Sequence, residues 1–406
     1  MPYHADVIGS LLRPRYLSEA RAALAAGRIN NTEFKRIEDR AVDQAIAMQE
    51  GCGLDVLNDG ELRRFSFLDH LLGDMEGVAD MPGAPVHFHA PDPAQDWEWH
   101  PPITITGRLR PKGPMMTIEE FSYARGRARV PVKITMPSPL TVYSAWSPEH
   151  SRPAYSDPFE LFADAAAIIR AEAAELARLG CTYIQIDSPD LGTLVDPENR
   201  ALREGLGMDT ERTLTEGVDI INSVADVPGV TFGLHICKGN YESKWIATGG
   251  YEFTAGKVFS RSDNFDVFLL EYDDERSGSF EPLADVPEDK VVVLGLVSSK
   301  LPEIEPADEL IARIDEAARY VGKERLALST QCGFSPVSIG GNLISEEIQQ
   351  RKLELVAEVA HQVWKPLVSA GPGPRAARGA TGCRAYDRRS TGAARRSWAS
   401  RTASGR

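Results

Sequence analysis

Short apolar, β-branched runs recur along the chain, each closed by turn residues and separated from the next by a longer polar-apolar stretch. Eight such runs stand at 6–9, 54–58, 130–135, 182–187, 230–235, 266–271, 290–297 and 325–330. Near-continuous hydrophobicity over a few residues is the mark of a parallel strand covered on both faces. Between most of them, apolar positions follow the spacing of amphipathic helices, at 31–50, 158–179, 209–224, 306–321 and 345–363. Three of these helices carry start signals: Asn31-Thr32-Glu33, Ser156-Asp157-Pro158 and Pro306-Ala307-Asp308. Gly180 and Gly322 fall just past two helix ends, where a left-handed cap is expected. Strand and helix alternating eight times predict an α/β fold of the TIM-type (β/α)8 barrel kind, with a doubly wound open sheet as the alternative.

Two stretches break the alternation. Residues 77–129 are rich in Pro, His and Trp, with a hairpin expected at 103–110. They read as an insertion after strand two, and such an insertion lies on the catalytic face as a wall or lid. A shorter one, 188–208, follows strand four. The barrel is expected to occupy residues 1–366, followed by a basic tail over 367–406. That tail holds nine arginines and one acid, Asp387, and lacks any hydrophobic period, so disorder is expected there. Its +8, against −14 for the whole chain, leaves −22 on the body.

A body so acidic argues against a nucleic-acid surface. No apolar run is long enough to span a membrane, and the start lacks the pattern of a signal peptide. Cys52, Cys181, Cys237, Cys332 and Cys383 are few, odd in number and scattered, which fits a reducing cytoplasm better than a disulfide framework.

Active sites of (β/α)8 barrels occupy the C-terminal ends of the strands. Those ends carry Ser10, Glu61, Ser138, Asp187, His235 with Cys237, Glu271, Lys300 and Cys332. In extended backbone, residues two apart point to the same side, so His235 and Cys237 can converge on one ion. Cys332 leaves strand eight across the same barrel mouth. One imidazole and two thiolates form a soft set that suits Zn2+, and their wide spacing matches a catalytic site better than a structural knuckle. Glu271 is the candidate fourth ligand. A thiol on such a metal is deprotonated, and two protein thiolates keep its sulfur nucleophilic, which favours alkyl transfer to sulfur over hydrolysis.

The motifs Ile-Gly-Ser (8–10), Asp-Gly-Glu-Leu (59–62), Ile-Gln-Ile-Asp-Ser-Pro (184–189), His-Ile-Cys (235–237) and Gln-Cys-Gly (331–333) stand in one order along residues 4–365. In this the chain resembles the catalytic barrel of cobalamin-independent methionine synthases and their single-barrel relatives, which include epoxyalkane:coenzyme M transferase. The resemblance implies zinc held by His235, Cys237, Cys332 and Glu271. It implies that Ser10, Glu61 and Asp187 hold the amino-acid end of homocysteine, and that Trp146 is an aromatic platform for a pterin. Two departures matter. The N-terminal barrel of the longer synthases is missing from this sequence, and Val-Ser-Ser-Lys-Leu-Pro, with Lys300, stands where they place a histidine acid.

The expected function is therefore zinc-dependent methyl transfer from a small-molecule donor to the thiol of homocysteine. Lys300 or a water would supply the leaving-group proton. Transfer or lyase chemistry on another thiol such as coenzyme M, and a non-catalytic zinc-binding barrel, are the alternatives.

Overall fold

Six of the eight apolar runs hydrogen-bond into one parallel sheet: Ile134–Pro137, Tyr183–Asp187, Thr231–Ile236, Val267–Glu271, Val291–Val297 and Leu326–Thr330, each beside the next in chain order. The structure, a computed structural model, describes residues 3–73, 75–338 and 341–364. The expected basic tail, the boundary at 366 and Cys383 lie outside the described residues.

The first two runs close the barrel with less backbone pairing than expected. Each makes a single parallel bridge, Ala5 to Leu328 of the eighth strand and Leu57 to Val132 before the third. Side chains take over the remaining backbone groups. Asp55 Oδ2 accepts from the amides of His4 (2.9 Å) and Ala5 (3.0 Å), and the Asp55 amide donates to the Ala5 carbonyl at 3.1 Å. Asn58 Nδ2 donates to the Gly9 carbonyl at 3.2 Å. Because these side chains satisfy the main chain, no regular ladder forms at this seam. The ring is closed all the same, which excludes the open-sheet alternative.

The helical stretches form where the periodicity places them, with shifted ends. The first, Asn31–Cys52, is capped one residue earlier than expected, by Asn30 in a reciprocal capping box with Glu33. Pro158–Arg178 starts from Asp157 with Pro in its first turn, and Glu346–Val363 from Ser345. The 210–224 stretch contains one π-helical segment, Thr213–Gly217. Ala307–Ala317 ends early, and Gly322 has φ −48°, so of these two glycines Gly180 (φ +92°) alone is left-handed. Helices Arg15–Ala25 and Ala255–Arg261 carried no expectation. We expect Asn30→Ala to destabilise the fold by about 1 kcal/mol, read as a lower midpoint of urea denaturation with unchanged slope.

The insertion is folded. Thr104–Pro111 is one strand paired antiparallel with Met75–Ala79, not a hairpin within itself. Gly107 there serves close approach to Gly77, whose φ is +85° and which has no room for a Cβ beneath the Arg108 carbonyl. A second antiparallel pair joins Val86–Phe88 to Trp97–Trp99. It docks on the loop after the fifth strand through a bridge between His89 and Trp245 and an aromatic contact of Phe88 and Trp97 with Tyr241. No helix among the described residues is long and apolar enough to cross a membrane.

Candidate active site

Parallel register brings the first polar pair together. Asp187 and His235 are ladder partners on adjacent strands, so their side chains lie side by side at the mouth. Asp187 Oδ1 accepts from His235 Nδ1 at 2.8 Å, which fixes the ring and leaves Nε2, 3.2 Å from the Gln331 carbonyl, as the nitrogen for a metal. Gln185 Nε2 donates to the same Asp187 oxygen at 2.6 Å. From below, Lys133 Nζ donates to Gln185 Oε1 (2.8 Å) and to Asp6 Oδ1 (2.6 Å). A buried polar chain thus runs Asp6–Lys133–Gln185–Asp187–His235 from the barrel interior to its mouth.

His235, Cys237 and Cys332 offer ligand atoms that all lie within 4.8 Å of one another. The two sulfurs are 4.0 Å apart, against an edge of roughly 3.8 Å for a tetrahedron with Zn–S of about 2.3 Å. The donor set and its spacing fit a zinc ion. The hydrogen bond from Cys332, opposed by burial and helped by His235, draws the Cys237 thiol down to about 7, while Cys332 is pushed up. Burial would lower the His235 imidazolium, but Cys237 and Asp187 hold it up at about 9. The Cys237 backbone is fixed by Gly192, where any Cβ would collide with the Cys237 carbonyl.

Glu271 stands beside this cluster without joining it. Its Oε1 meets Lys300 Nζ at 3.0 Å and its Oε2 accepts from the Lys238 amide at 2.7 Å. Burial pushes the carboxyl up, but Lys300, Lys238 and Arg276 overcome that and hold it at about 2. Lys300 is enclosed by Glu271 and, at 3.4 Å, Asp273.

Over the cluster lies a cavity of about 100 Å³ whose walls include Ser10, Glu61, Asp187, His235, Cys237 and Cys332. Of the polar strand-end residues expected at the site, Ser138, Glu271 and Lys300 are not in this lining. Ser138 instead caps the 3₁₀ turn Pro139–Ala145. Glu61 adopts φ +54°, a left-handed conformation costly for a residue with a side chain, and so aims its carboxylate inward under Gly9. Its Oε1 accepts from Thr135 Oγ1 at 2.7 Å. Ser10 Oγ, beside Gly333, accepts from the Ser335 amide at 3.3 Å.

A second cavity, about 130 Å³, adjoins the first and shares Phe67, Phe88, Pro189 and Ile246 with it. Its far walls carry Leu140, Tyr143, Leu202 and Leu206, with Asp190 and Arg203 as charged members. Trp146 lines neither cavity. It follows the 3₁₀ turn with extended dihedrals and is buried in the hydrophobic core. Residues that sequence reasoning missed are Phe67, Phe88, Gln185 and Asn240. Only Gln185 and Asn240 had a signal, since they stand within or just after motifs that had been singled out.

Residues 4–340 match the family model described as the catalytic domain of cobalamin-independent synthase. The chain is 35% identical over 370 residues to the uncharacterized protein YxjH of Bacillus subtilis, covering 90% of this chain and 95% of that one. It is 25% identical to the methionine synthase of Pyrococcus abyssi, over 90% of this chain and 94% of the relative. Among solved structures, the putative vitamin-B12 independent methionine synthase of Listeria monocytogenes superposes with a TM-score of 0.66 at 27% identity, covering 89% of this chain and 98% of that one.

Proposed function

The chain belongs to the cobalamin-independent synthase catalytic-domain family, and from that premise we propose that it is a zinc-dependent enzyme transferring a methyl group to the thiol of homocysteine. The observation that carries this reading is the convergence of His235, Cys237 and Cys332 at the wall of a cavity that also holds acidic side chains. Zn2+ held by these three residues supplies the Lewis acidity that keeps a substrate thiol deprotonated at neutral pH.

The protein's own groups do the rest. Asp187, steadied by Gln185, orients the His235 ring. Glu61 and Asp187 suit the ammonium end of an amino-acid thiol, and Ser10 its carboxylate end. Glu271 is the remaining candidate for the fourth metal position, and taking it requires release from Lys300. The enclosure of Lys300 by two carboxylates suits it to fixing Glu271 rather than to reaching a leaving group, so the departing donor takes its proton from water. The methyl donor occupies the second cavity, whose shared wall puts it next to the sulfur. A thiol ending in a sulfonate, as in coenzyme M chemistry, would set like charge against Glu61 and Asp187.

The test is metal content followed by assay. Purified chain should carry about one zinc per protein and form methionine from homocysteine with at least one of a panel of methyl donors. A metal-free, active protein would discard the reading, as would turnover confined to a non-amino thiol. Asp187→Ala should weaken zinc binding by about 10- to 100-fold in chelator competition, the usual effect of deleting a carboxylate behind a ligating histidine. Unchanged zinc affinity would remove Asp187 from that role.

A further inference from the structure

We propose that Asn240 determines substrate specificity: its side-chain oxygen receives the ammonium group of the thiol substrate, jointly with Glu61 and Asp187. This rests on the homocysteine reading above and adds a residue to it.

Asn240 closes the run that leaves the fifth strand through His235 and Cys237, and it is 7% exposed. Its Nδ2 donates to the Gly333 carbonyl at 2.7 Å. A carbonyl only accepts, so this contact fixes which way round the amide sits. Oδ1 is therefore left on the other side, buried, and meets no donor among the described residues. Asn240 lines the cavity over the metal cluster.

Glu61 repeats the pattern. Thr135 occupies its Oε1, while Oε2 is buried and meets no donor among the described residues. Asp187 adds a third acceptor to the same wall, and no Lys or Arg is among the residues that line it. Orphaned buried acceptors are costly, so such a wall selects a ligand that brings donors to it. An ammonium group offers three N–H donors and a positive charge to three acceptors, two of them carboxylates. A carboxylate or sulfonate at the same place would meet only lone pairs.

The experiment compares homocysteine with 4-sulfanylbutanoate, the same thiol acid without its amine, by calorimetric titration into the zinc-loaded full chain. The wild type should bind homocysteine more tightly. Asn240→Leu should weaken homocysteine about 10- to 100-fold, the worth of a charge-assisted hydrogen bond, and leave 4-sulfanylbutanoate within about threefold. Asn240→Ser, a smaller change, should follow the same pattern, and zinc content with thermal melting confirms that each variant is folded. Equal losses for both thiols would mark Asn240 as a mere prop for the Gly333 loop and overturn the proposal. No loss for either, or equal binding of the two thiols by the wild type, would overturn it as well. A wild type that binds neither thiol would instead refute the homocysteine reading on which the proposal stands.

Discussion

Replacing Cys237 by serine should empty the metal site and lower methyl transfer by roughly 10³-fold, while leaving the barrel folded. The size follows from the several kcal/mol that a metal contributes to stabilising developing charge, at about 1.4 kcal/mol per tenfold in rate. Serine nearly matches cysteine in volume but does not ionise near neutral pH, so the three-ligand set falls to two. The main chain has little freedom to compensate, because the Cys237 carbonyl is packed against Gly192 and the Ile236 carbonyl accepts from Tyr251 Oη at 2.7 Å. Zinc stoichiometry and turnover should fall together. Cys52→Ser and Cys181→Ser are the controls: both thiols are buried away from the cavity and should leave zinc at its wild-type level. Retention of a full zinc complement by Cys237→Ser would refute the assignment of this cysteine as a ligand.

The largest effect on stability is expected at the other end of the polar chain. Lys133 and Asp6 form an ion pair at 2.6 Å with side chains 0% and 1% exposed. Burial pulls the Lys133 pKa down, and Asp6 works against that pull. Removing one partner abandons a charge in the barrel interior, which typically costs 3–5 kcal/mol, about the scale of a whole domain's stability margin. Lys133→Met should therefore lower the denaturation midpoint sharply, and Asp6→Asn comparably. The double variant Asp6→Leu/Lys133→Met should recover part of the loss, since two apolar groups can replace a buried pair. Recovery stays short of wild type because Tyr183 Oη, now 2.9 Å from Asp6 Oδ2, and Gln185 Oε1 would both lose their partners. Additive losses in the double variant would mean that the two residues do not act as a pair.

The convergence of His235, Cys237 and Cys332 was legible in the sequence because it rests on a rule of position. His235, Cys237 and Cys332 are conspicuous residue types at strand ends, and strand ends are where a barrel places its reactive groups. The polar chain beneath them was not legible. Lys133 reads as an ordinary member of an apolar run and Gln185 as one letter of a motif, and only the folded barrel brings Lys133 against both Asp6 and Gln185. Asn240 is a similar case: its residue type is unremarkable, and its meaning lies in which of its two amide atoms is left without a partner. The first two strands misled for the converse reason. Their apolar pattern is real, but Asp55 and Asn58 compete for the main chain, and pattern does not register such competition. Trp146 and the expected hairpin at 103–110 were displaced by local backbone geometry, a 3₁₀ turn and a glycine-to-glycine approach that composition does not specify.

The four residues shared by the two cavities have a consequence for how such a protein diversifies. Phe67, Phe88, Pro189 and Ile246 come from separate parts of the chain, and behind them the two chambers draw on different walls. Leu140, Leu202, Leu206 and Trp99 belong to the second chamber alone, whereas Ser10, Asn240, His235, Cys237 and Cys332 belong to the first alone. On the proposed reading, mutation of the second chamber would remodel what is delivered without disturbing what receives it. If the proposed function holds, a lineage built on this barrel could exchange one donor for another while keeping the proposed sulfur chemistry, and a directed-evolution library confined to those four second-chamber positions would explore the same freedom.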